Sequence, residues 1–308
     1  MALKMLDDEP TKEEIKVLDL VPDVLGVKEL DTDLYIADQF WKAQRARGTF
    51  GGQIIGQALM SASRTVADNL NLHSIHSYFL RPGDPNSPVI YKVSRTRDGG
   101  SFSSRSISAI QKGRPILTLQ ASFHNEAAEK TNIFDYQVAM PKVAHHSQLS
   151  SVHEYLALLL SSFENDSNRA EKVRNFMNYL PIDIKPLDVE VYMGNKSNST
   201  KNITSWFKVR NPIGDNQNEH RAAASYISDW SLLYSSTVHQ SKAPVSMMVS
   251  LDHSIWFHRP FRIDEWVLYE AVCDNMANSR SLCQGRIWTE SGELVATVMQ
   301  EGLVRGKL

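Results

Sequence analysis

Residues 250–261 read Ser-Leu-Asp-His-Ser-Ile-Trp-Phe-His-Arg-Pro-Phe, an apolar, aromatic-rich run that ends in Arg259-Pro260. The other half of the chain repeats it. Residues 76–82 read His-Ser-Tyr-Phe-Leu-Arg-Pro, so Phe79-x-Arg81-Pro82 aligns with Phe257-x-Arg259-Pro260 at a separation of 260 − 82 = 178 residues. The same separation places Val89-Ile90-Tyr91 on Val267-Leu268-Tyr269, and one residue of slippage places Gly113 on Gly292, each ahead of an apolar run. Three blocks in one order at one spacing indicate an internal duplication. The period is too long for a solenoid repeat, so the reading is two similar domains in one chain.

Composition agrees with two domains of ordinary size. The chain has 308 residues, 42% hydrophobic and 22% charged, with a net charge of −2. The absence of a basic excess argues against nucleic acid as a partner. The apolar runs are short, such as Tyr155 to Leu160, and predict no membrane span. The first residues, MALKMLDDEPTKEE, turn acidic at once and lack the apolar core of a signal peptide. Two cysteines, Cys273 and Cys283, exclude a disulfide scaffold and read as packed strand residues in a reducing compartment. Four sequons, at Asn165, Asn195, Asn198 and Asn202, then read as chance matches in a polar loop.

Taken in order, residues 1–30 form an arm with Val17, Leu18, Val21, Val24 and Leu25 as anchors. Leu34 to Ile36 is a short strand. Phe50-Gly-Gly-Gln53 leads into a helix whose apolar residues Ile54, Ile55, Ala58, Leu59 and Ala62 recur at helical spacing. No charge interrupts Ile54 to Met60, so this helix is enclosed. Gly56 inside it costs about 1 kcal/mol against alanine, and close packing on a sheet is the expected reason. Strands follow at His73–Leu80, Pro88–Arg95, Ser101–Gln111 and Pro115–His124, separated by Gly/Pro/Asp turns. Residues 31–125 are thus one unit. Residues 126–185 form a connector with helices at Val152–Ser162 and Arg169–Tyr179. Residues 186–308 repeat the pattern: strands at Leu187–Met193 and Ile203–Val209, a polar loop from Asn211 to Arg221, and a helix at Ala222–Ser236. Strands at Val249–His258, Glu265–Cys273, Arg280–Thr289 and Leu294–Val304 complete it. The class is α+β.

The chain has no G-x-S-x-G elbow, P-loop, G-x-G-x-x-G, H-E-x-x-H or C-x-x-C. His73/His76 and His253/His258 are three and five residues apart, placing each pair on opposite strand faces and arguing against chelation, so no metal site is read. What stands out is quieter. Asp229 interrupts an apolar helix, Gln300 sits late in an apolar strand, and Ser250 opens the run quoted above. Each is a buried polar group that needs partners or a wet cavity.

Together, Phe50-Gly-Gly-Gln53, His76 to Gly83, Arg97-Asp-Gly-Gly-Ser-Phe102, Asp252 to Pro260 and Gln300-Glu-Gly302 resemble the type II acyl-CoA thioesterase family from about Phe50 to the C-terminus. The resemblance implies a double hot dog fold, in which two helix-wrapped antiparallel sheets are fused as a pseudo-dimer. It also implies fatty acyl-CoA as substrate, no cofactor, and a homodimer or homotetramer. The family's catalytic acid, hydroxyl and glutamine fall on Asp229, Ser250 and Gln300. The hydroxyl is often threonine in relatives and is serine here. In this reading Asp229 takes a proton from water that Ser250 and Gln300 hold, a helix N-terminal amide stabilises the oxyanion, and no acyl-enzyme forms. His76 and His253 are rival bases by chemistry, and their place on an aromatic strand favours structural roles.

Two alternatives stand beside this one. A hot dog hydratase or dehydratase wants a histidine paired with an acid near the helix, and none is evident. A non-catalytic acyl-CoA binding module would lack Asp229 or Gln300. The C-terminus Gly306-Lys307-Leu308 differs at one position from the peroxisomal Ser-Lys-Leu address, so a peroxisomal location is expected, with the cytoplasm as alternative. One active centre per chain is also expected. The first helix carries no Asp or Glu between Thr49 and Val66, and the slot equivalent to Gln300 lies near Gln120 or Ala121, where an amide could survive without its acid.

Overall fold

The computed structural model describes residues 18–40, 48–129, 134–162, 170, 171, 173, 174, 176, 177, 180–194, 202–239 and 245–306. Val17, Lys307, Leu308, the sequons at Asn165, Asn195 and Asn198, and part of the expected helix Arg169–Tyr179 lie outside the described residues.

The strands, in chain order, are β1 Lys28–Asp31, β2 Leu34–Ala37, β3 Asn71–Phe79, β4 Val89–Asp98, β5 Phe102–Gln111, β6 Arg114–His124, β7 Ile182–Pro186, β8 Ile203–Val209, β9 Val245–Ser250, β10 Asp252–Phe257, β11 Val267–Ala277, β12 Arg280–Thr289 and β13 Leu294–Gly306. The α-helices whose bounds fall within the described residues are α1 Gly51–Ser63, α2 Val152–Ser162, α3 Val189–Tyr192 and α4 Gln217–Ser231; Ala170, Glu171, Val173, Arg174, Phe176 and Met177 are also helical. The strands form one sheet ordered β1-β2-β4-β5-β6-β3-β10-β13-β12-β11-β8-β7, with β9 also on β13. Every pairing is antiparallel.

The order is a palindrome about the β3/β10 junction, and the duplication explains it. His76 lies opposite Ser254 in that junction. The two are also 178 apart, which is the repeat spacing. A residue paired with its own repeat equivalent marks a pseudo-two-fold axis. The turns obey the same relation: Gly113 closes β5–β6 and Gly292 closes β12–β13, both at positive φ, +72° and +91°. That region of backbone space favours glycine. Asn278-Ser279 closes β11–β12 with φ of 52° and 59°, the sense of twist that tight hairpins require.

The central helices α1 and α4 lie against each other on one face of the sheet. In α1 every residue from Gly52 to Ala62 is buried, as the uncharged run predicts. The expected apolar set, Ala224 and Ile227 in α4 and Leu232 and Leu233 just after it, is buried. The glycines serve contact with the facing helix and with the N-terminal arm rather than the expected sheet contact. A Cβ on Gly52 would stand 2.7 Å from the Tyr226 carbonyl oxygen, and one on Gly56 would meet Leu25 of the N-terminal arm at 2.7 Å. That arm is anchored: Leu20, Val24 and Leu25 are buried, and Gln53 and Gln57 of α1 both donate to the Val24 carbonyl at 2.9 and 2.8 Å.

Two strands fall where none was expected, β1 at the end of the arm and β7 at the end of the connector, and they form the two edges of the sheet. Three further elements differ from expectation. Leu187–Met193, expected as a strand, forms the short helix α3, because the Asp188 side chain accepts the Val191 amide as an N-cap at 3.0 Å. Helix α4 starts earlier, at Gln217 inside the expected polar loop. The Asn216 side chain caps it by accepting from the Asn218 amide, and it tightens into a 3₁₀ segment from Leu233 to His239. Val249–His258, expected as one strand, is broken at Leu251 into β9 and β10.

Candidate active site

The break at Leu251 builds the site. β13 is long enough to pair with both β9, at Gly302↔Ser250, and β10, at Met299↔Ser254. At the bend the Leu251 amide donates to the Glu301 carbonyl at 2.9 Å, and the Glu301 amide donates to Asp252 Oδ1 at 2.7 Å. Asp252 therefore closes the backbone of the kink with its side chain. The kink turns Ser250 toward Gln300, and Gln300 Nε2 donates to Ser250 Oγ at 2.7 Å.

Gln300 Nε2 also donates to Asp229 Oδ1 at 2.7 Å. The three sequence-predicted residues thus meet around one amide nitrogen, although they come from α4, β9 and β13. The other carboxylate oxygen, Asp229 Oδ2, accepts the backbone N–H of Gly52 at 2.8 Å. Gly52 lies in the first turn of α1, so the first half of the chain supplies a backbone donor and a helix N-terminus to the second half's acid. Gly51 also has to be glycine here, since a Cβ would stand 2.9 Å from Asp229 Oδ2 and from the Phe79 ring. No motif search could find the Gly52 donor, because it is main chain 177 residues away. The signal was the Gly51-Gly52 pair itself.

Burial pushes the Asp229 carboxyl up to about 6, against the opposing pull of the Gln300, Gly52 and Ser250 hydrogen bonds. A carboxylate in that range is ionised at neutral pH and still basic enough to accept a proton. His253 behaves oppositely: burial lowers its pKa to about 3, so it is neutral. His253 is fully buried and its Nε2 meets Ser228 Oγ of α4 at 2.9 Å. His76, the other rival base, is exposed on the opposite face of the sheet, beside Ser254 and edge-on to Trp256.

The pseudo-equivalent cleft differs at every position. Counted from the first residue of each helix, Asp229 and Ser63 are both thirteenth. Ser250 pairs with Gly302 and Leu72 with Phe123, and 302 − 123 = 179; Gln300 pairs with Cys283 and Ala121 with Arg105, and 300 − 121 = 179. The counterparts of acid, hydroxyl and amide are therefore Ser63, Leu72 and Ala121. Gln120, where an amide could have survived, points to solvent. Two buried arginines fill the neighbourhood. Arg105 donates to Thr65 and pairs with Asp98, while Arg221 donates to the Leu72 carbonyl and pairs with Glu126.

One other cluster has metal-like donors. His145, His146 and Glu290 bring their ligand atoms within 4.8 Å of one another. Both rings share Glu290 Oε1, at 2.6 and 3.0 Å, and His146 stacks on Trp266. Glu290 is held below the usual carboxylate range by these two bonds. The group reads as a clasp that fastens the connector to the β12–β13 hairpin. Cys273 and Cys283 face each other across β11–β12 as free thiols, Cys283 buried and Cys273 half-buried beside a bulge.

A helix-centred antiparallel sheet built from two repeats, with an acid, an amide and a hydroxyl converging at a helix N-terminus, defines a double hot dog protein. Comparisons place it further. Residues 37–124 match the family model described as acyl-CoA thioesterase N-terminal domain, and residues 164–304 match the C-terminal domain. Acyl-coenzyme A thioesterase 8 of Rattus norvegicus is 39% identical over 294 residues, covering 94% of this chain and 89% of the relative. Peroxisomal acyl-coenzyme A thioester hydrolase 1 of Saccharomyces cerevisiae is 27% identical, covering 84% and 86%. The crystal structure of an acyl-CoA thioesterase II from Mycobacterium marinum superimposes with a TM-score of 0.72 at 34% identity, covering 93% of this chain and 98% of that one. The chain belongs to the type II acyl-CoA thioesterase family. Among the described residues no helix is long and apolar enough to cross a membrane.

Proposed function

We propose that the chain hydrolyses fatty acyl-CoA to a fatty acid and CoA through water activated by Asp229. The observation that carries this reading is the convergence of Gln300 Nε2 on both Asp229 Oδ1 and Ser250 Oγ at 2.7 Å. A water bound between these groups gives a proton to Asp229 as its oxygen attacks the thioester carbonyl carbon. The carbonyl becomes an oxyanion, and the first turn of α1 is the nearest source of donors for it. The Gly52 amide is committed to Asp229 and the Gln53 amide to the Phe50 carbonyl, which leaves the Gly51 amide and the helix dipole. Collapse breaks the C–S bond, and the CoA thiolate leaves with the proton held by Asp229. Ser250 orients and is not a nucleophile in this scheme, so no acyl-enzyme forms.

The test uses palmitoyl-CoA and a chromogenic disulfide that traps released thiol. Wild type is expected to release CoA, Asp229→Asn to lose that activity, and His76→Ala to keep it. No thiol release by wild type would leave the acyl-CoA binding module, and activity that follows His76 instead of Asp229 would move the base.

The assembly is proposed to be a homodimer or homotetramer, checked by light scattering of the purified protein. A peroxisomal location is proposed from the near match of Gly306-Lys307-Leu308 to a targeting signal; the yeast relative's name agrees with it. Deleting these three residues from a fluorescent fusion should abolish import, and a diffuse signal with and without them would place the protein in the cytoplasm.

A further inference from the structure

Two buried polar atoms beside the site have no hydrogen-bond partner: His253 Nδ1 and Gln300 Oε1. Unpaired buried polar atoms are rare in folded proteins and call for an explanation. These two belong to neighbouring side chains, since the antiparallel β10–β13 register that pairs Ser254 with Met299 sets His253 opposite Gln300. The tautomer decides whether they satisfy each other. Ser228 Oγ has a single proton and two acceptors within 2.9 Å, the Ser225 carbonyl and His253 Nε2. If that proton goes to Ser225, then His253 Nε2 must be the protonated nitrogen, and Nδ1 is a bare lone pair with no proton to offer Gln300 Oε1. If it goes to His253 Nε2, the ring carries its proton on Nδ1 and can donate to Gln300 Oε1, while Ser225 keeps its helical partner. Only the second arrangement gives the ring a donor for Gln300 Oε1.

The consequence reaches the site through the glutamine. A primary amide fits its slot in two orientations. One presents NH₂ to Asp229 and Ser250; the other presents a carbonyl oxygen to a carboxylate, which repels it. Nothing on the Asp229 side prevents turning once the carboxyl is protonated. A donor fixed on the far side does. The duplication supplies the internal control. The repeat equivalents of Ser228, His253 and Gln300 are Ala62, Ile75 and Ala121, all buried and apolar. The fold therefore accepts apolar residues at all three positions, and the polar set is present only in the half that carries Asp229.

We infer that His253 is a positioning residue, relayed from Ser228, which donates from Nδ1 to Gln300 Oε1 and thereby holds the amide NH₂ toward Asp229 and Ser250. The inference rests on the proposed role of Asp229. The titratable groups turned toward the cluster are Asp229, His253 and Tyr269, with Cys283 beside Tyr269; Tyr269 and Cys283 are pushed up and stay neutral near pH 6.

The experiment compares H253N and H253Q in the full chain. Asparagine places an amide donor where Nδ1 stood, and glutamine places one where Nε2 stood. H253N is expected to keep kcat within about tenfold of wild type, and H253Q to lose on the order of 10²-fold, the cost of a misplaced catalytic group. The acid limb of the kcat/KM profile should also move to higher pH in H253Q, because the Asp229 carboxylate loses the Gln300 N–H that stabilises it, and should stay in place in H253N. Thermal melts of both variants separate this from unfolding. Equal losses in the two variants with unmoved acid limbs would overturn the positioning role and leave His253 as packing. D229N run alongside distinguishes the failures: if it keeps near-native turnover, the base assignment itself has failed and the positioning role falls with it.

Discussion

The two clefts beside the pseudo-two-fold axis share a backbone and nothing of their chemistry. One places Asp229 at the thirteenth position of its helix, the Gln300 amide on the neighbouring strand and the Ser250 hydroxyl at a strand break. The other places Ser63, Leu72 and Ala121 at those positions, and packs Arg105 and Arg221 around them, each paired with an acid. Only one of the two positions brings an acid, an amide and a hydroxyl together; the other has a serine and two apolar residues in their place. The halves remain interdependent even so. The Gly52 amide that donates to Asp229 belongs to the half whose own helix carries no acid, so the first half supplies a helix N-terminus to the second half's carboxylate.

The comparison breaks most visibly through the partners of Asp229. Ser250→Ala and Gln300→Ala are each expected to lower kcat by about 10- to 100-fold, and the double variant by little more than the worse single, because both orient one water. Additive losses would mean two independent functions. In the cleft at Ser63, Ser63→Asp in an Asp229→Asn background should restore less than about 1% of wild-type turnover, since Leu72 and Ala121 offer no partner for water. Recovery beyond that would show that the acid alone separates the clefts.

The pH dependence follows the Asp229 carboxyl. Because only its ionised form accepts a proton, kcat/KM should fall as pH drops through about 6. Stability should show the mirror image. The folded pKa lies above the unfolded value of 3.8, so the native state holds this proton more tightly, and folding loses stability as pH rises from about 4 to 6. Asp229→Asn removes that penalty. It should be more stable than wild type at pH 8 by up to about 2–3 kcal/mol and no more stable at pH 4, by denaturant titration. The smallest effect is expected for Ser63→Ala, which removes a hydroxyl whose Oγ has no partner and should change turnover by less than about twofold.

Much of this was legible in the sequence because duplication leaves a spacing. The 178-residue separation required only that Phe-x-Arg-Pro and Val-x-Tyr be matched, and the His76–Ser254 pairing is its structural form. The interruptions were legible too: a carboxylate at 229 and an amide at 300 stand out in apolar surroundings whatever the fold. What escaped was set by side chains acting on backbone. Asp188 and Glu190 alternate with apolar neighbours as on a strand, but Asp188 caps the following turn and makes it a helix. The kink at Leu251 depends on Asp252 reaching the Glu301 amide, a partner 49 residues away. Gln300 pointed to the site, whereas Ala121 was recognised as its counterpart only from strand register.

The proposal on which the rest depends is one catalytic centre per chain, built on Asp229. Its most direct test is the single-turnover hydrolysis of a long-chain acyl-CoA by Asp229→Asn with enzyme in excess. The expected rate is below about 1% of wild type, in line with the loss of a general base. A variant that retains about half of the wild-type rate would show that the cleft at Ser63 also turns over, and would contradict the claim.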